Sequence, residues 1–167
     1  VSSRASGSAS VATGKNATAS GANTIAIGNA ANAAGTDSIA TGRQAATTGS
    51  NAIATGADSS AANNASAYGN KAKATGGWSS AFGNESKAAA ADASAFGNTA
   101  TAAAQDSTAI GAHSSVTSVA TGGTALGHSS SVTTAGGVAL GQGSASTRAA
   151  LDGKNITISS QGNVVSS

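Results

Sequence analysis

Three features of the chain predict an all-β solenoid of 14-residue coils. Glycine recurs at every seventh residue from Gly7 to Gly56. Small residues hold two places of each heptad that share a face at period two, the period of a strand. Up to Gly111, every Val, Ile, Phe and Tyr except the terminal Val1 falls in every second heptad. A short fixed period makes each repeat one structural unit stacked on its neighbours.

With glycine numbered position 7, position 5 is Ala5, Ala12, Ala19, Ala26, Ala33, Ala40 and Ala54, with Thr47 as the exception. Position 3 is always Ser, Ala or Thr, from Ser3 to Ala52. Helical spacing would instead group positions 1, 4 and 5, which do not match in character. Frequent Thr, Ser, Asn and Gly also disfavour helix.

Positions 4 and 6 point the other way, and here heptads come in two kinds. Even heptads carry Val11, Ile25, Ile27, Ile39 and Ile53, with Thr13, Thr41 and Thr55 beside them. Odd heptads carry Arg4, Ser6, Thr18, Ser20, Asn32, Ala34, Ala46 and Thr48. The pattern loses one residue near Ala62 and Asn63, then resumes with Tyr68, Phe82, Phe96 and Ile110 at position 6 of even heptads. Lys73, Lys87 and Thr101 follow at position 4 of odd ones.

Two strands per coil, joined by tight turns, give a flattened solenoid. Positions 3 and 5 fill an interior too narrow for Leu or Phe. Stacked coils pair in parallel, about 4.7–4.9 Å apart. One outer sheet is polar; the other is an apolar ladder that asks for a cover, most simply by identical chains. Asn23, Asp37, Asn51, Asp92 and Asp106 near the glycines suit turns in which the side chain bonds the backbone. Ala90 and Ala104 occupy glycine places, so positive φ is not required there.

After Gly111 the register loosens. Ser118–Gly122 and Thr124–Gly127 both read as even-type strands, and Val138–Gly141 falls fourteen residues after the second. A short insertion is expected near 112–123, in the turn around His113–Thr117, with the continuing strand left open. Leu126 and Leu140 extend the apolar ladder. The head of repeats spans 1–148. Residues 149–167 leave the pattern, and 156–159 with 164–166 around Gln161-Gly162-Asn163 predict a hairpin or the start of another module.

Composition agrees with thin layers. Apolar residues make up 39% of 167, but there are only two Phe, one Tyr, one Trp and no Met. Alanine buries little area, so a core of large side chains is not available. Only 8% of residues are charged and the net charge is +2, which argues against a nucleic-acid partner. Without cysteine there is no disulfide frame and no thiol metal site. No apolar run approaches the roughly 20 residues that span a bilayer. The chain opens without a signal peptide, so a secreted protein would hold it as an internal piece.

The pentapeptides Ser10-Val11-Ala12-Thr13-Gly14, Thr24-Ile25-Ala26-Ile27-Gly28, Ser38-Ile39-Ala40-Thr41-Gly42 and Ser118-Val119-Ala120-Thr121-Gly122, with Val138-Ala139-Leu140-Gly141, resemble the S-V-A-I-G motif of YadA-like heads in trimeric autotransporter adhesins. The resemblance covers residues 1–148. It implies a homotrimer of left-handed parallel β-rolls on a Gram-negative cell surface. It implies a stalk and a separate C-terminal membrane anchor outside this chain, and adhesion to host cells or matrix proteins such as collagen, fibronectin or laminin. The family's neck motif, D-A-V-N-V-x-Q-L, is absent. Aromatic residues in place of Ile at position 6 of the middle coils also depart from it and suggest a wider gap between subunits.

The expected trimer interface is therefore Val11, Ile25, Ile27, Ile39, Ile53, Tyr68, Phe82, Phe96, Ile110, Leu126 and Leu140. The expected exposed ligand face carries Arg4, Thr18, Asn32, Lys73 and Lys87. No catalytic, cofactor or metal site is expected, and the chain is read as non-enzymatic. His113 and His128 lack convergent partners in sequence. The recurrent Asp residues lack the G-G-x-G-x-D spacing of a calcium roll. GGVALGQG at 136–143 has the wrong glycine spacing for a phosphate loop. The sequons at Asn16, Asn64, Asn84 and Asn155 follow from composition. Trp78 lies in a turn, where it could anchor a ligand or cover a gap between chains.

An ice-binding β-solenoid is the alternative, but its Thr ladders are interrupted here by Ile27. An acyltransferase β-helix would need six-residue repeats. Disordered filler would not segregate Ile and Phe so cleanly.

Overall fold

The computed structural model describes residues 2–147, 156–158 and 164–166. Odd heptads form two-residue strands, from Arg4–Ala5 to Ala145–Ser146. Even heptads form three-residue strands, from Val11–Thr13 to Val138–Leu140. The first kind makes one parallel sheet of eleven strands and the second a parallel sheet of ten. The chain alternates between them, so each coil contributes one strand to each sheet, and the described residues contain no helix.

The interior between the sheets is almost entirely alanine. Ala17, Ala19, Ala26, Ala31, Ala33 and Ala40 are all fully buried, and the same places recur in later coils. Small side chains let the two sheets approach closely, and positions 3 and 5 supply them as the period-two pattern requires. Position 3 has a second task when it is Ser or Thr. The hydroxyls of Ser10, Thr24, Ser38 and Ser79 donate to the carbonyl three residues back, at 2.7–2.8 Å, closing the turn from odd to even strand. Thr47, the exception at position 5, is buried too, and donates to Ser38 Oγ at 2.9 Å. A buried hydroxyl is tolerated because it is bonded.

The two turn edges differ. In the even-to-odd turn, glycine occupies position 7 throughout the described coils, with φ near 130° in most of them. At Gly28 φ is 134°, and a β-carbon would lie 2.4 Å from the Gly42 carbonyl oxygen. Both constraints demand glycine. In the odd-to-even turn the same place holds Ala90, Ala104 and Thr134 in some coils, and none of these has positive φ.

The left-handed residue comes two places after the glycine in both turns. Asn16, Asn23, Asp37, Asn51, Asp58, Asn64, Asp92 and Asp106 all have φ between 53° and 59°. This corrects the expected role of these side chains. They suit the turn because Asn and Asp tolerate left-handed backbone. Where their side chains bond, they reach the next coil: Asn23 Nδ2 donates to Asp37 Oδ1 at 2.9 Å, and Asn51 Nδ2 to Asn64 Oδ1 at 3.3 Å.

Both changes of repeat length fall in odd-to-even turns. Ala67 pairs with Ala54, one residue short of the usual step, and Ala74 with Ala61, so the deletion sits between Ala61 and Ser66 as the sequence indicates. A slip inside a strand would turn every side chain to the wrong face; a turn absorbs it. The insertion falls within the expected 112–123 but past the turn around His113–Thr117. Ser115–Val116 keeps normal register with Thr101–Ala102, whereas Thr124–Leu126 pairs with Thr108–Ile110 two residues late. The additional residues therefore fall between Val116 and Thr124, not around His113–Thr117. Ser118–Gly122 is a turn and not a strand. The Ala120 amide donates to the Thr117 carbonyl at 3.0 Å, Ala120 is buried, and Val119 is left 71% exposed at the tip.

Val116 and Val132 are fully buried at position 5, where other coils place alanine. Gly123 and Gly137 stand opposite. A β-carbon on Gly137 would lie 2.8 Å from Val132 Cγ1. The interior keeps its thickness by pairing a larger residue on one sheet with glycine on the other.

Ile156–Ile158 and Val164–Ser166 pair antiparallel, with Thr157 opposite Val165. The expected turn at Gln161–Asn163 and the expected boundary at 148–149 lie outside the described residues.

Candidate functional site

The two outer faces and the turn edges carry the distinctive side chains of the described residues. On the ten-stranded sheet, positions 4 and 6 point outward in register from coil to coil. Ile25, Ile39 and Ile53 form a continuous ladder. Tyr68 stacks on Phe82 with ring centroids 4.8 Å apart, and Phe82 on Phe96 at 5.0 Å with planes within 4°. These spacings match the distance between paired strands, so the backbone ladder itself sets the stacking. Ile110, Leu126 and Leu140 continue the row.

The structure thus brings every residue expected at the trimer interface onto one face. That face is open in the single chain: Val11 is 50% exposed, Ile27 42% and Leu140 64%. Val138, 57% exposed, belongs to it as well. Even-type spacing at Val138-Ala139-Leu140-Gly141 carried that signal in the sequence. The threonines of this face do not form an ice-binding array, because Ile27 stands between Thr13 and Thr41 and Tyr68 follows Thr55.

The outer face of the eleven-stranded sheet carries the five expected ligand-face residues. Arg4, Thr18 and Asn32 are cross-strand neighbours near one end, and Lys73 and Lys87 are neighbours further along. Thr18 is half-buried and the other four are exposed. The two groups are separated along the ladder by Ala46 and Ser60, so they form two patches and not one site.

The turn edges hold the remaining polar chemistry. Asn70, Asn84 and Asn98 form an amide ladder, in which Asn84 Nδ2 donates to Asn70 Oδ1 at 3.2 Å and Asn98 Nδ2 to Asn84 Oδ1 at 3.1 Å. Arg43 pairs with Asp58, and Lys71 with Glu85 at 3.2 Å. All are exposed or partly exposed, so each pair contributes little to stability. His113 and His128 meet edge to face with centroids 5.6 Å apart, and His113 Nδ1 lies 2.7 Å from Thr99 Oγ1. Among the described residues, no three His, Cys, Asp or Glu side chains gather as a metal-ligand set. Trp78 adopts φ 54° in its turn and is 66% exposed, outside both faces.

Comparison with protein families gives one match. The model of the YadA head domain repeat, which holds two copies of the repeat, matches residues 5–31, 33–59, 88–114 and 118–144. Together these segments span more than half of the chain. The last begins at Ser118, at the pentapeptide that the fold uses as a turn. No curated protein matches the chain.

Proposed function

This chain belongs to the YadA head domain repeat family, and on that premise we propose that it is the non-enzymatic head of a trimeric autotransporter adhesin. Heads of this family are surface-exposed passenger regions of Gram-negative autotransporters and are trimeric in general. In this reading three left-handed rolls pack side by side through their ten-stranded sheets. Their eleven-stranded sheets and turn edges face outward and meet host cells or matrix proteins. A separate anchor outside this chain holds the assembly in the outer membrane.

The observation that carries the reading is the exposed apolar ladder running along one sheet. Parallel sheets are rarely left open on an apolar face, and an exposed stripe of Ile, Val, Leu, Phe and Tyr marks an interaction surface. Flat stacking of identical coils also suits lateral association along the whole length. Three copies of each outward patch then let weak contacts add as avidity.

A solid-phase screen of the purified protein against collagen, fibronectin and laminin, beside attachment of protein-coated beads to cultured cells, tests it. Saturable binding to at least one surface is expected. Absence of binding to every matrix protein and every cell type would overturn the adhesin reading.

A further inference from the structure

Lys71, Lys73 and Lys87 converge with Glu85 and Ser86 around an open cleft of about 320 Å³ on the polar side of the solenoid. Lys73 and Lys87 are direct partners in the parallel ladder, which holds their backbones only about 4.8 Å apart. Like charges set opposite each other in a sheet are destabilising. Neither lysine has an ion-pair partner among the described residues, because Glu85 bonds Lys71. The ladder neighbours on either side, Ser60 and Thr101, are neutral.

Among the described residues, no other ladder partners are both Lys or Arg. Eight Lys and Arg stand against six Asp and Glu, a net charge of +2. The three lysines and Glu85 account for all of it, and the remaining five cations and five anions cancel.

We propose that this cleft binds an acidic polysaccharide carrying sulfate and carboxylate groups. An anion between Lys73 and Lys87 relieves their repulsion. Lysine presents a compact point charge suited to such groups without the fixed fork of arginine. Glu85 supplies an acceptor for sugar hydroxyls, a role it would not have against a purely anionic surface. No aromatic side chain lines the cleft for stacking bases, and three cations are few for a nucleic-acid groove. No apolar side chain lines it to anchor a peptide. The inference rests on the adhesin reading only for where the ligand is met.

The test is retention of the full chain on immobilised heparin across a salt gradient, with duplex DNA of equal charge as a second probe. Lys73→Gln/Lys87→Gln should weaken heparin binding by about tenfold or more, since each lost contact also lowers the salt dependence. Lys15→Gln/Arg43→Gln, which removes the same charge elsewhere, should leave it unchanged. Circular dichroism of both variants checks that the β-fold persists. Equal weakening by the two variants would overturn the cleft in favour of bulk charge. Equal or tighter retention on DNA would overturn the polysaccharide. Failure to bind heparin while coated beads still attach to cells would remove this inference and leave the adhesin reading. Heparin binding without attachment to any cell or matrix protein would do the reverse.

Discussion

Val132 Cγ1 lies 2.9 Å from the point where a β-carbon on Gly123 would sit, and Val116 Cγ1 lies 3.0 Å from the same point. The two valines enter an interior otherwise lined by alanine, serine and threonine, and the glycine opposite makes their space. Gly123→Ala should therefore destabilise the fold by about 1–3 kcal/mol through overpacking. Combining it with Val132→Ala should recover part of that loss, since the Ala120 carbonyl 2.8 Å away remains. Urea denaturation of both single variants and the double variant measures the coupling. Strict additivity would mean that the two sheets do not share this volume.

The buried hydroxyl pair gives an asymmetric expectation. Thr47 donates to Ser38, and Ser38 donates to the Gly35 carbonyl at 2.7 Å. Ser38→Ala strands both partners and should cost about 1–3 kcal/mol. Thr47→Ala restores the residue of other coils and leaves the Ser38 bond intact, so its cost should be well under that. Thermal melts of the two variants decide it; equal losses would contradict the direction of the hydrogen-bond chain.

Turn strain can be relieved. Ala30 adopts φ 55°, a left-handed conformation that costs an ordinary L-residue about 1–2 kcal/mol. Ala30→Asn, the residue that Asn16 places one coil earlier, should raise stability by a fraction of that. A lowered denaturation midpoint would show that Ala30 is fixed by packing and not by backbone.

The faces should differ in their tolerance. Ile27→Ala should cost about 2–5 kcal/mol per site if the ten-stranded sheet is covered in the assembly. Asn32→Ala, on the outer face of the other sheet, should be near neutral. Chemical denaturation of the assembled protein distinguishes them, and equal losses would mean that the faces are reversed.

Much of the fold could be read from the chain because strand periodicity is a local signal. Alternation at positions 3 to 6 separated inner from outer residues and one sheet from the other. The deletion near Ala62 was visible because it left Tyr68 and Phe82 in an even-type frame. The insertion lies within the expected 112–123 but past His113–Thr117, because Ser118–Gly122 has the composition of a strand while its fate depends on distant packing. Val116 already fills the interior, so Val119 is turned out. The type of the turn Asn and Asp is legible in the chain but their positive φ is not, since φ is a property of the backbone path. The Lys73–Lys87 patch was visible as two outward lysines; Lys71 and Glu85 joined them only through the fold, because a turn residue and a strand residue share that edge.

In the proposed assembly, identical chains cover the apolar face of the ten-stranded sheet. Sedimentation equilibrium of the purified protein across a concentration series tests it most directly. A single species of three times the chain mass, 15.3 kDa, is the expected result. A well-folded monomer with Val11, Ile27 and Leu140 open to water would contradict it.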